Sequence, residues 1–99
     1  MRYLEYINKK LMIDDLRKEV DKLDVELIKL LSRRMGLTAE IGREKKAAGT
    51  EVHQKTREMT VLDQAKLLAN SLGLSEAFIT DIYSLILAES RRIQDKTET

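Results

Sequence analysis

Arg34 and Lys45 interrupt an otherwise apolar helical stripe. After Leu27 and Leu30 the next position on the stripe is Arg34, and after Leu37 and Ile41 it is Lys45. Eleven residues of α-helix turn through about 1100°, so the two cations point within about 20° of each other and stand about 16 Å apart along the axis. Thr38 and Gly42 lie between them on that side, one small and one without a side chain. Two long cations thus flank a stretch with room in it. Burying a cation without a partner is costly, so the pattern calls for anions. The plainer alternative is that both snorkel to solvent or pair with Glu40 or Glu44.

Three further places carry polar groups of the same kind. Ser90 and Gln94 continue the face of Ile79, Tyr83 and Ile86, four residues apart and therefore together. Gln54 and Glu58 share a face by the same spacing, with Arg57 beside them. Arg17 lies just off the apolar seam near the start of the first helix, where a surface ion pair with Asp21 is the ordinary alternative. For Ser90 and Gln94 that alternative is a fraying helix end facing water. For Glu58 it is a favourable place at a helix N-terminus, and for Arg57 simple solvation. His53 is the single histidine and reads as a solvated loop residue. Tyr3, Tyr6 and Met59 read as packing residues. Together Arg34, Lys45, Arg57 and Arg17 suit a compact dianion, and Ser90, Gln94 and Glu58 suit its hydroxyls and ethers. No nucleophile–base pair, metal-ligand spacing, phosphate loop or dinucleotide fingerprint is visible. A reaction needing only positioning and electrostatics fits such a set, with no cofactor and no metal.

Helices must position these groups. The spacing predicts a long first helix from about Asp14 to about Lys46, with Asp14 or Asp15 as N-cap and Leu16, Val20, Leu23, Leu27, Leu30, Leu37 and Ile41 on its seam. Its first clear break is Ala47-Ala48-Gly49-Thr50. Such a rod is about 50 Å long, whereas a compact chain of this length is roughly 33 Å across. Either the rod breaks at Gly36 or Gly42, or a second chain covers the overhang. The stripe passes both glycines in phase, which favours an intertwined homodimer. A second helix is expected from Lys55 or Thr56 to about Leu72, with Val61, Leu62, Ala65, Leu68 and Leu72 on its apolar face, ended by Gly73. Ser75 caps a third, which carries Phe78, Ile79, Ile82, Tyr83, Ile86, Leu87 and Ile93 and frays after about Asp95. The expected organisation is a prefix at 1–13, a helical domain at 14–95 and a frayed tail at 96–99. Leu4, Ile7 and Leu11 could extend the first helix, or the prefix could be appended before a natural start at Met12.

Composition narrows the class. The chain has 99 residues, which makes one domain at most. Eighteen basic against 17 acidic side chains leave a net charge of +1, which argues against a dedicated nucleic-acid binder. The absence of Cys excludes disulfides, thiolate metal sites and a Cys nucleophile, and the absence of Pro with only 4 Gly argues against a turn-rich β fold. No run of 18 apolar residues is present, so no membrane span is expected. The start shows no signal-peptide pattern, which reads as a cytoplasmic location. The fold class is all-α, three helices per chain with one very long N-terminal helix.

Leu16-Arg17-Lys18-Glu19-Val20-Asp21 with Leu23-Asp24, then Leu30-Leu31-Ser32-Arg33-Arg34, then Glu40-Ile41-Gly42-Arg43-Glu44-Lys45, then Arg57-Glu58 and finally Glu89-Ser90 with Gln94 form an ordered set. In this set the chain resembles the all-helical class of chorismate mutases, over about Asp14 to Gln94. The resemblance implies an intertwined homodimer with two equivalent sites, each completed by Arg17 of the other chain. It implies that Arg34, Arg57 and Ser90 hold the two carboxylates of chorismate, that Lys45 and Gln94 bond the ether oxygen of the breaking bond, and that Glu58 takes the ring hydroxyl. The family has an acidic residue where this chain has Gln54, which can hydrogen-bond but carries no charge. The implied reaction is the Claisen rearrangement of chorismate to prephenate, on the route to phenylalanine and tyrosine. A related activity, removal of pyruvate from isochorismate to give salicylate, keeps the same fold. A non-enzymatic helical dimerisation or regulatory module is the alternative of a different class.

Overall fold

The computed structural model describes residues 2–51 and 54–96. They form three α-helices and no strand: α1 (Arg2–Ala47), α2 (Lys55–Ser71) and α3 (Glu76–Lys96).

The first helix begins earlier than the capping pattern suggests. Asp14 is not its N-cap but an interior residue, 4.0 Å from Arg17 Nη1 across one turn. Leu4, Ile7 and Leu11 extend the helical spacing upstream, and Glu5 sits favourably in the first turn. An interior Asp costs less than about 1 kcal/mol of helix propensity, too little to stop a ladder that continues on both sides. Gly36 and Gly42 do not break α1 either. The helix stops where the sequence places its first clear break. Gly49 takes φ 70°, Thr50 N donates to Lys45 O at 2.8 Å, and Gly49 N donates to Lys46 O at 3.2 Å. This is the left-handed closure that glycine permits cheaply.

The second helix ends the same way. Gly73 has φ 75°, Leu74 N donates to Ala69 O at 2.8 Å and Gly73 N to Asn70 O at 3.2 Å. Ser75 then caps α3 as expected, its Oγ accepting from Phe78 N at 3.2 Å. Asn70 Nδ2 donates to Glu76 Oε1 at 3.2 Å, tying the end of α2 to the start of α3. The two helices pack on each other as an antiparallel hairpin.

The chain divides after Arg34 into two units. In the first, Leu16, Val20, Leu23, Leu27 and Leu30 are all 52–63% exposed in the single chain. In the second, the buried positions are small ones: Thr38, Gly42, Ala69 and Ser90. Ile79, Ile82, Tyr83, Ile86 and Leu87 are half-buried. On α2, Val61, Leu62 and Ala65 of the expected face are half-buried, and the difference lies at its C-terminal end. Ala69 is the buried position, while Leu68 and Leu72 are open. A small side chain lets two helices approach closely, and the flanking leucines then stand outside the contact. Tyr3, Tyr6, Met59 and Phe78 are also exposed rather than packed.

Candidate active site

Gly42 on α1 lies directly beneath Gln94 on α3. A Cβ at residue 42 would stand 3.2 Å from Gln94 Cγ and 3.3 Å from its Cα. This approach buries Gly42 and leaves Gln94 half-buried. Four residues earlier on α3, Ser90 is buried, its Oγ donating to Ile86 O at 2.9 Å with Met35 Sδ at 3.8 Å. The room expected around Thr38 and Gly42 is therefore occupied by α3, and Ser90 and Gln94 do not face open water. Lys45 follows three residues after Gly42 and is half-buried; beside it Lys46 Nζ donates to Asp95 O at 3.4 Å. The second unit thus gathers a cation and an uncharged amide where α1 ends and α3 runs past it.

The start of α2 supplies a second group. Gln54 is the N-cap, with extended backbone (φ −114°, ψ 99°) and a side chain that makes no capping bond. Gln54 and Arg57 line an open cleft of about 590 Å³ with Glu51, Lys55, Thr56 and Thr60. Glu58, expected on the face of Gln54, is not part of that lining. Its carboxylate Oε1 instead accepts from Arg91 Nη1 of α3. Both partners are partly withdrawn from solvent, with side chains 26% and 40% exposed.

The first unit carries the remaining two candidates. Arg17 is 76% exposed and its neighbour is Asp14, one turn back, rather than Asp21. At 4.0 Å and in open solvent such a pair contributes little. Arg34 is half-buried. His53 lies outside the described residues. Among the described residues no group of three His, Cys, Asp or Glu side chains could hold a metal ion.

A family model for chorismate mutase type II matches residues 16–95. The chain belongs to the type II chorismate mutase family. Among curated relatives, the T-protein of Haemophilus influenzae is 35% identical over 78 residues, 79% of this chain and 21% of that protein. The 4-amino-4-deoxychorismate mutase of Streptomyces venezuelae is 36% identical over 80 residues, 81% of this chain and 78% of that protein. The chorismate mutase of Methanocaldococcus jannaschii is 21% identical over 80 residues, 81% of each chain. The chain thus spans about a fifth of the T-protein and most of the other two.

Against this type II chorismate mutase background, Arg91 is a charged partner of a candidate site residue that the sequence pattern does not single out. Its contact with Glu58 joins positions 33 apart. Helical spacing cannot reveal such a pairing; the only local sign is a cation placed next to Ser90.

Proposed function

We propose that this chain acts as a chorismate mutase, rearranging chorismate to prephenate on the route to phenylalanine and tyrosine. The observation that carries the reading is the family match over residues 16–95, together with Gln94 resting on Gly42 one turn before Lys45. In this reading Lys45 and Gln94 donate to the ether oxygen, where negative charge develops as the C–O bond breaks. Donors already in place bind that charge better than they bind the substrate. Arg34, Arg57 and Ser90 hold the two carboxylates, and Glu58 and Gln54 receive the ring hydroxyl. The cations fold the enolpyruvyl arm over the ring, and orientation supplies much of the remaining rate. The reaction is a single concerted step and requires neither a covalent intermediate nor a cofactor.

A homodimer belongs to the same reading, with Arg17 reaching the site of the other chain. Two features support it. Arg17 is open and only loosely held by Asp14. The seam leucines of the first unit are more than half exposed in the single chain, and burying what remains exposed of each would be worth about 1–2 kcal/mol. A cytoplasmic location is also part of the proposal and is tested by cell fractionation.

The test is to incubate the purified chain with chorismate and follow its loss and the appearance of prephenate. A second reading changes the ring substituent. The Streptomyces venezuelae relative is named for 4-amino-4-deoxychorismate, and Gln54 offers an uncharged carbonyl that can accept from an amine. Offering both substrates to the same preparation decides between them. Isochorismate in a third arm, with salicylate as the readout, tests the lyase activity. No turnover in any arm, with no thermal shift on adding a chorismate-like dicarboxylate, supports the non-enzymatic module instead.

A further inference from the structure

We propose that Arg91 is a positioning residue for the ring-hydroxyl end of the site, acting through Glu58; the inference rests on the mutase reading in which Glu58 meets that hydroxyl. Arg91 Nη1 and Glu58 Oε1 are in direct contact and join α3 to the first turn of α2. The pairs Arg17–Asp14, Lys22–Glu19 and Arg92–Glu89 each join residues three apart on one helix, so they cannot fix one helix against another. Arg91–Glu58 can, and its members are partly shielded from water.

Two physical effects follow. A carboxylate has two oxygens, so Oε1 can be held by Arg91 while Oε2 accepts from a substrate hydroxyl. Held in this way, the flexible Glu58 side chain loses less freedom when substrate arrives. The second effect is charge. A dianion entering the site meets the negative Glu58, and like charges oppose each other. Arg91 compensates that charge without touching the substrate. Removing Arg91 therefore leaves an acid that both wanders and repels. Removing the acid first makes Arg91 nearly irrelevant.

The closing experiment is a double-mutant cycle on the full chain with chorismate, using Arg91→Met, Glu58→Gln and the double variant, with circular dichroism melts to confirm folding. The Arg91→Met change is expected to lower kcat/KM about tenfold, mainly through KM, in the wild-type background. In the Glu58→Gln background the same change is expected to shift it less than about twofold. Arg91→Lys is expected to recover part of the loss. Arg91→Gln in both backgrounds carries the comparison if the Met variant does not fold. Equal losses in the two backgrounds, or no loss in the wild-type background, overturn the inference while leaving the mutase activity standing. A wild-type chain that leaves chorismate unchanged overturns the mutase reading and this inference together.

Discussion

Gln94 Cα stands so close to Gly42 that a methyl group on residue 42 would meet it at 3.3 Å. The glycine is thus a spacing device: it sets how near α3 comes to the last turns of α1. Alanine favours helix over glycine by about 1 kcal/mol, so Gly42→Ala should leave the melting temperature close to wild type. The added methyl must displace Gln94 by a few tenths of an ångström or more, and kcat is expected to fall at least about tenfold. Unchanged kcat with an unchanged melt would show that the placement of Gln94 is not critical.

Lys45 is expected to be among the most costly residues to remove. Lys45→Ala should lose roughly 3 kcal/mol or more of transition-state stabilisation, about a hundredfold or more in kcat/KM. A change below about threefold would remove Lys45 from the mechanism.

Gln94 has no proton to gain or lose near neutrality, so as the proposed donor it keeps its bonding capacity across that range. The rate should be nearly flat between about pH 6 and 8. A steep rise in kcat on acidification through this window would count against a neutral amide as donor.

Site sharing is tested by complementation. Arg17→Ala and Arg34→Ala chains should each be inactive alone, and mixing them with verified subunit exchange should regenerate some complete sites. No recovered activity would argue against a site shared between two chains.

The exposed seam of the first unit gives a stability test. Leu23 is 63% exposed in the single chain. Were it truly solvent-facing, Leu23→Asp would change stability by less than about 0.5 kcal/mol. In a dimer the change buries an unpaired charge. The expected outcome is loss of the dimer in sedimentation and of the cooperative melt, with a wild-type melting temperature that rises with protein concentration.

Much of this architecture could be read from local pattern. Gly49, Gly73 and Ser75 each act within six residues of chain, so helix ends set by them were legible. Asp14 misled because capping preference is a local signal, whereas the decision belonged to the helical ladder running from Leu4 through Leu11. Ser90 and Gln94 were legible as one face, but their burial was not, since it depends on α3 meeting Thr38 and Gly42. Leu68 and Leu72 show the same limit in reverse: periodicity marks them as apolar, and only packing reveals that Ala69 is the point of contact. Arg91 was invisible because its partner lies 33 positions away.

The Gly73 closure and the Ser75 cap have a kinetic consequence. Everything needed to bend α2 back onto α3 lies within a few residues of the turn, so this hairpin can form early and unimolecularly. The leucine-rich stretch before Arg34 has no such local turn and, in the proposed dimer, must wait for a collision with another chain. Recovery from denaturant should therefore split into a fast phase indifferent to dilution and a slower one that lengthens with it, and catalytic competence should return only with the second.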